Sequence, residues 1–215
     1  MAHQHWKIEK DDAGITWLCL DKADASANVL SSAVLTELSE VLEPIRENLP
    51  EGLVIWSGKD RSFIMGADIK EFDSIKTPER AYELVRLTQQ LFAAIEDLGC
   101  PTVAAINGVC LGGGLELAMA CDYRVVFAGD KKVLGLPEVK LGLHPGFGGT
   151  VRAIRICGVR AGMQLMLTGN SISAGKAKSI GLVDKITSAD NWRQDAAEMI
   201  ARAPPRKRAP FVDRP

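Results

Sequence analysis

An α/β domain built on a largely parallel sheet is the fold class this sequence predicts, and three observations predict it. Short β-favouring or wholly apolar runs recur at WKIEK, ITWLCLD, GLVIWSG, PTVAAIN and DYRVVF. Amphipathic stretches with apolar residues at helical spacing separate most of them. Several of the short runs are continuously apolar rather than alternating, as strands covered by helices on both faces are.

The elements follow in order. WKIEKDDAGITWLCLD reads as a hairpin, with β-favouring residues on either side of an Asp-Ala-Gly turn. SSAVLTELSEVLEPIREN is a helix: its serines suit an N-cap, and Val34, Leu35, Leu38, Val41, Leu42 and Ile45 share one face, with Pro44 interrupting late. GLVIWSG is a buried strand, followed by the glycine-containing loop SGKDRSFIMGADIKEF. TPERAYELVRLTQQLFAAIEDLG, the longest helix expected, opens on Thr-Pro, carries Leu84, Leu91, Phe92, Ile95 and Leu98, and ends at glycine. PTVAAIN is the next strand, then a glycine run with a short helix, then the strand DYRVVFAG. After LGLPEVKLGLHPGFGGT, helices are expected over RAGMQLMLTG and SAGKAKSIG, with LVDKI a short strand. ARAPPRKRAPFVDRP holds four prolines and five basic residues against one acid, which resists both helix and strand. Residues 1–190 are expected to form the domain, and 191–215 a short helix and a Pro/basic linker or tail, either cut from a longer chain or an ordinary disordered terminus.

The whole-chain numbers exclude broad classes. At 215 residues, 47% of them hydrophobic, the chain holds one domain with a sizeable core. Twenty-six basic against twenty-seven acidic residues give a net charge of -1, so no global charge favours nucleic acid or a membrane surface. Cysteines 19, 100, 110, 121 and 157 lack CxxC spacing and read as reduced thiols. No apolar stretch suits a bilayer span and MAHQHWKIEKDD is not patterned as a secretion signal, so a cytoplasmic setting is expected.

NGVCLGGGLELAMACD sets three glycines before an apolar helix containing one carboxylate. Strand, glycines and helix start together make a common anion site, because free amides and the positive end of the helix dipole face one point. A phosphate loop would add Lys-Ser or Lys-Thr and a dinucleotide site would space its glycines, and LGGGLEL does neither. An oxyanion developing during a reaction suits Gly112, Gly113 and Gly114 better; tight helix–strand packing is the other reading. Glu116, in the first turn, reads evenly as a salt-bridged core residue or as an acid–base group. Burial raises its pKa and the dipole lowers it, so its ionisation is open at this stage.

Two further stretches bear on that choice. In FIMGADIKEF, Gly66 precedes a small residue whose amide is suited to the same carbonyl, although in isolation it reads as a turn. In LGLPEVKLGLHPGFGGT, Glu138 follows a proline and alone would be a solvated surface charge. His144 reads as a loop residue, and His3 with His5 lacks a nearby third ligand, so no metal is assigned.

FIMGADIKEF, PTVAAINGVCLGGGLELAMACDYRV and GLPEVKLGLHPGFGGTVR, in that order, resemble the enoyl-CoA hydratase/isomerase (crotonase) family. The last stretch looks most like the hydratase part at the N-terminus of multifunctional fatty-acid oxidation enzymes. The resemblance implies a crotonase-like spiral of ββα units and an acyl-CoA substrate, with coenzyme A part of the substrate and no other cofactor. It implies an oxyanion hole from the amides of Ala67 and Gly113, with Glu116 and Glu138 as catalytic glutamates. Gly66, Asp68, Ile69 and Lys70, and Ala25 and Asn28 in DKADASANVLS, are then expected at the substrate or CoA; Ile69 and Phe72 suit an acyl pocket.

The implied reaction adds water to a trans-2-enoyl-CoA. Shifting a double bond from position 3 to position 2 is the enzymatic alternative, a catalytically incomplete acyl-CoA-binding fragment the non-enzymatic one, and a phosphate-loop hydrolase a third class. The resemblance also implies a homo-oligomer, or a dehydrogenase domain and a thiolase partner in a longer parent, in bacterial cytoplasm or, in a eukaryote, in mitochondria or peroxisomes.

Overall fold

The computed structural model describes residues 3–129, 131 and 133–205. The chain opens with the antiparallel pair β1 (Trp6–Lys10) and β2 (Ile15–Leu20). Parallel strands then join in turn: β3 (Gly52–Ser57) on β2, β5 (Thr102–Ile106) on β3, β7 (Tyr123–Phe127) on β5 and β9 (Lys185–Thr187) on β7. The result is a six-stranded sheet in the order β1-β2-β3-β5-β7-β9.

A second, three-stranded parallel sheet is made of β4 (Ser62–Ile64), β6 (Val109–Leu111) and β8 (Leu134–Gly135). Each of these follows a long strand directly, so the chain steps from large sheet to small sheet and then into a helix. Helix α2 (Pro78–Glu96) closes the first such ββα unit, α3 (Gly113–Ala120) the second and α4 (Gly149–Thr168) the third. Strands of two or three residues carry too little periodicity to be read from sequence.

The apolar runs alternate after all, between two buried faces. Leu53, Ile55, Ala104 and Ile106 enter the main core with α1 (Ser32–Glu47), whereas Val54, Val103, Ala105 and Val125 face a second cluster. That second cluster is covered by α6 (Trp192–Arg202), through Ala196 and Ile200. A fully buried Val, Leu or Ile contributes roughly 1.5–3 kcal/mol, so both layers stabilise the sheet. The helix expected to begin the tail thus packs on the sheet, and residues 206–215 of the Pro/basic stretch lie outside the described residues.

Capping follows the sequence: Ser31 accepts from the Val34 amide before α1, and Thr77 from the Arg80 amide before α2. Two expectations need adjustment. The helix expected from residue 160 is preceded by a further helical segment from Gly149, and the two meet at Gly158, whose φ of 80° only glycine adopts readily. Leu182 and Val183 plug the core ahead of β9, so the strand expected over LVDKI starts later. Buried Arg124 secures this region, donating to Leu182 O at 2.7 Å and pairing with Asp184 at 3.2 Å. Helix α5 (Ala174–Ser179) precedes β9. Among the described residues no helix is long and apolar enough to cross a membrane.

Candidate active site

The glycine run sits where the small sheet meets α3. A Cβ at Gly114 would stand 2.3 Å from the Ile64 carbonyl oxygen of β4, so this glycine lets helix and strand touch. Gly112 has a φ of 50°, and a Cβ there would lie 3.0 Å from Glu138 Oε1 and 3.8 Å from the Gly66 Cα. The two glycine-bearing segments, 66–67 and 112–113, are therefore neighbours, and Glu138 stands over them.

Two amides at this junction are left over by the local geometry. Leu30 bridges Ala67 in parallel fashion, donating to Gly66 O at 2.8 Å and accepting from the Asp68 amide at 3.0 Å. In such a pair the bonds are made by the residues flanking Ala67, so its own N–H points away from Leu30. Gly113 is the first residue of α3, where an amide has no carbonyl one turn earlier to bond. Among the described residues neither amide has a backbone acceptor.

Glu116 lies one turn into α3 and is 1% exposed. Its Oε1 accepts from the amides of Phe147 at 2.8 Å and Gly149 at 2.7 Å, in the loop leading into α4. Burial is the largest influence and raises its pKa to about 7; the Gly149 bond opposes this, the negative charge of Glu138 adds to it, and the Phe147 bond and Arg152 oppose it. Glu138 occupies the 3-10 helix Pro137–Leu141 after β8. Burial raises its pKa as well, and among the described residues its buried Oε2 has no hydrogen-bond partner. A buried acceptor left unpaired is costly, and a proton or a polar substrate group would relieve that cost. The positive side of His144, an exposed residue of the following loop, favours the Glu138 carboxylate.

The remaining predicted residues divide. Asp68 caps the 3-10 helix Ile69–Ser74 by accepting from the Lys70 amide at 3.2 Å, and pairs with Lys22 at 3.7 Å. That pair joins the GADIKEF segment to the loop holding half-buried Ala25. Lys70 is exposed, and Ile69 and Phe72 are 60% and 41% exposed, an apolar face turned outward. Asn28 is different: it is fully buried, and its amide nitrogen donates to Leu20 O, Ser57 Oγ and Phe63 O while its oxygen accepts from the Lys22 amide. Its side chain therefore ties strands together and has no capacity to reach a ligand, which corrects the expectation of direct contact.

Sequence reasoning missed the amides of Phe147 and Gly149, and with them Arg152. The only sequence signal was the repeated glycine in HPGFGGT. Among the described residues no group of three or more His, Cys, Asp or Glu is disposed to hold a metal. His5 instead accepts from the Ala23 amide at 3.3 Å. Cavities of about 290 Å³ beside Trp56, Asn107, Phe127 and Trp192, and of about 320 Å³ beside Cys100 and Tyr123, are lined by neither glutamate.

A sequence model described as enoyl-CoA hydratase/isomerase matches residues 11–210. The chain is 45% identical over 203 residues to the fatty acid oxidation complex subunit alpha of Shewanella loihica, covering 94% of this chain and 29% of that protein. Its identity to the protein of the same name from Vibrio campbellii is 43% over 180 residues, 83% of this chain and 26% of the other. The chain thus spans less than a third of the length of these curated relatives. Among solved structures, enoyl-CoA hydratase from Bacillus anthracis superposes with a TM-score of 0.83 at 33% identity, over 93% of this chain and 76% of that one. A Geobacillus kaustophilus structure described as an enoyl-CoA hydratase gives 0.84 at 27% identity, over 94% and 75%.

Proposed function

The chain belongs to the enoyl-CoA hydratase/isomerase family, and from that premise we propose that it adds water to a trans-2-enoyl-CoA to give a 3-hydroxyacyl-CoA. The observation that carries this reading is the pairing of two carboxyls, buried Glu116 and half-buried Glu138, both with raised pKa, beside a junction of unengaged backbone amides.

In the proposed reaction the thioester carbonyl oxygen accepts from the amides of Ala67 and Gly113, which draws electron density from C3. Water attacks C3: its oxygen forms the new C–O bond, its proton passes to a glutamate carboxylate, and the π electrons move toward the thioester. The enolate then collapses as C2 takes a proton from the other glutamate. A pKa of about 7 keeps both forms of Glu116 populated near neutrality, which suits a group that must give and take a proton. The two carboxyls titrate as a coupled pair, and the division of acid and base between them belongs to the pair. The step changes no net oxidation state, so it calls for no redox cofactor; coenzyme A enters as part of the substrate.

Asp68, Ile69, Lys70 and Ala25 are assigned to the substrate side, with Gly66 setting the turn that presents Ala67. The relatives' name and greater length support reading this chain as part of a larger fatty-acid oxidation protein; residues 1–190 as its hydratase part, a dehydrogenase domain with a thiolase partner or else a homo-oligomer, and a bacterial cytoplasm are our extension from the family resemblance. Moving a double bond needs only one proton shuttle, and the second glutamate, half-buried Glu138, favours hydration.

The test is loss of the conjugated-thioester absorbance of crotonyl-CoA, alongside isomerisation of a 3-enoyl-CoA. Glu116→Gln and Glu138→Gln are each expected to lower hydration by on the order of a hundredfold or more with the fold intact. Full activity in either variant sinks the two-glutamate mechanism.

A further inference from the structure

The loop that binds Glu116 is itself held from two helices. Arg152, 8% exposed on α4, donates from Nη1 to the Phe147 carbonyl at 3.0 Å. Its Nε and Nη2 both reach Glu96 Oε2 at the end of α2, at 3.1 and 2.9 Å. Phe147 is consequently gripped on both sides, its N–H on Glu116 and its C=O on Arg152. The guanidinium lies so close to bare Gly148 that a Cβ there would collide with Nη1.

Helix α2 adds two further contacts from the same face, at positions three and four residues apart. Gln89 donates to Gly146 O at 2.7 Å, and the Phe92 ring meets the Phe147 ring edge-on with centroids 5.9 Å apart. Glu96 completes that stripe. Both bonds to Glu116 fall on Oε1, and among the described residues none falls on Oε2.

We propose that Arg152, braced by Glu96, is a positioning residue: it fixes the Phe147 and Gly149 amides on Oε1 of Glu116 and so presents the other carboxylate oxygen to the reacting atoms. This rests on the reading of Glu116 as a proton-handling group. The planar guanidinium suits the task because one rigid fork spans a carboxylate and a carbonyl, which a single ammonium does less well. The charged groups facing Glu116 are Glu138, from the 3-10 helix after β8, and Arg152, from α4; Glu96 of α2 stands behind Arg152, and His144 bears on Glu138. The positive charge of Arg152 favours ionised Glu116, in keeping with the geometry.

The experiment compares the parent chain with Arg152→Met and Arg152→Lys, following the Glu116 carboxyl by carbon NMR titration without substrate, and kcat and KM on crotonyl-CoA. In Arg152→Met the Glu116 titration is expected to move to higher pH, and kcat to fall about tenfold or more with KM within about threefold. Arg152→Lys, which keeps the charge, is expected to titrate near the parent while kcat stays well below it. A folded Arg152→Met with the parent's titration and kcat overturns the proposal; should that variant not fold, parental kcat in Arg152→Lys does so. If the parent chain hydrates nothing, the functional reading fails by itself, and the substrate-free titration still decides whether Arg152 governs Glu116.

Discussion

Gly149 donates its amide to Glu116 Oε1 at 2.7 Å, and the same glutamate closes the space a side chain would need: a Cβ at 149 would stand 2.8 Å from both its Cγ and its Oε1. Pro145 Cβ at 3.0 Å bars relief in another direction. Gly149→Ala must therefore displace either the loop or the Glu116 carboxyl. Since α4 begins here and alanine is a good helix former, the secondary structure is expected to survive. Hydration of crotonyl-CoA should fall by about a hundredfold, the size expected when a reacting group shifts by about an ångström. Parental turnover in this variant would show that the loop does not set Glu116.

The raised pKa of Glu116 has a consequence for stability. An ordinary value of 4.5 in the unfolded chain and about 7 in the folded one means that the folded state binds more protons between those limits. Stability therefore declines as pH rises through that window, and the full cost of the buried charge, about 3 kcal/mol, is present above it. Glu116→Gln removes that cost. Chemical denaturation at pH 8 should find the variant more stable than the parent, by up to about 3 kcal/mol, and the gap should close toward pH 4.5. A gap that is independent of pH would mean that Glu116 is ionised in the fold across the whole range. Glu138, also raised by burial, bends the parent's curve in the same direction.

What sequence reveals of this fold depends on how far apart the interacting residues lie. The long strands announce themselves because Leu53 to Ile55 and Val103 to Ile106 are apolar on both faces, and α1 because its buried residues recur at helical spacing. β8 is two residues long, too short to show any period. Around the site, the glycines and glutamates have residue types that point to chemistry. The Phe147 and Gly149 donors are backbone amides, which any sequence possesses, and Arg152 finds Glu96 across 56 residues. Asn28 shows the opposite failure: a polar residue in a loop beside the expected ligand segment reads as a contact, and only the fold shows its amide nitrogen given to three acceptors.

Those three acceptors make Asn28 a test of structure as distinct from chemistry. Asn28→Asp replaces three donations with none and introduces a carboxylate against Leu20 O, Ser57 Oγ and Phe63 O at a position with 0% exposure. Unsatisfied buried acceptors cost about 1–3 kcal/mol each when one partner is lost, and a buried unpaired charge costs more. A loss of roughly 3 kcal/mol or more is expected in urea denaturation at neutral pH, partly recovered at lower pH where the new carboxyl is protonated. An unchanged midpoint would mean that the loop repacks without this node.

The consecutive glycines separate packing from catalysis in one pair of variants. At Gly114 a Cβ meets backbone, the Ile64 carbonyl oxygen at 2.3 Å, and backbone of a buried strand cannot turn aside. Gly114→Ala should therefore lower stability by about 2 kcal/mol or more, as overpacking does, and its thermal midpoint should drop accordingly. At Gly112 the nearest atom is Glu138 Oε1 at 3.0 Å, the far end of a side chain, while a φ of 50° with a ψ of -126° lies outside the left-handed helical well and adds about 1–3 kcal/mol of strain for alanine. Gly112→Ala should thus lose more turnover than Gly114→Ala for a comparable loss of stability, because Glu138 must move to make room. Measuring thermal midpoint and kcat for both variants decides the matter. Equal losses in both quantities would return the glycine run to simple helix–strand packing, whereas a larger turnover loss in Gly112→Ala ties Gly112 to the carboxylate it faces.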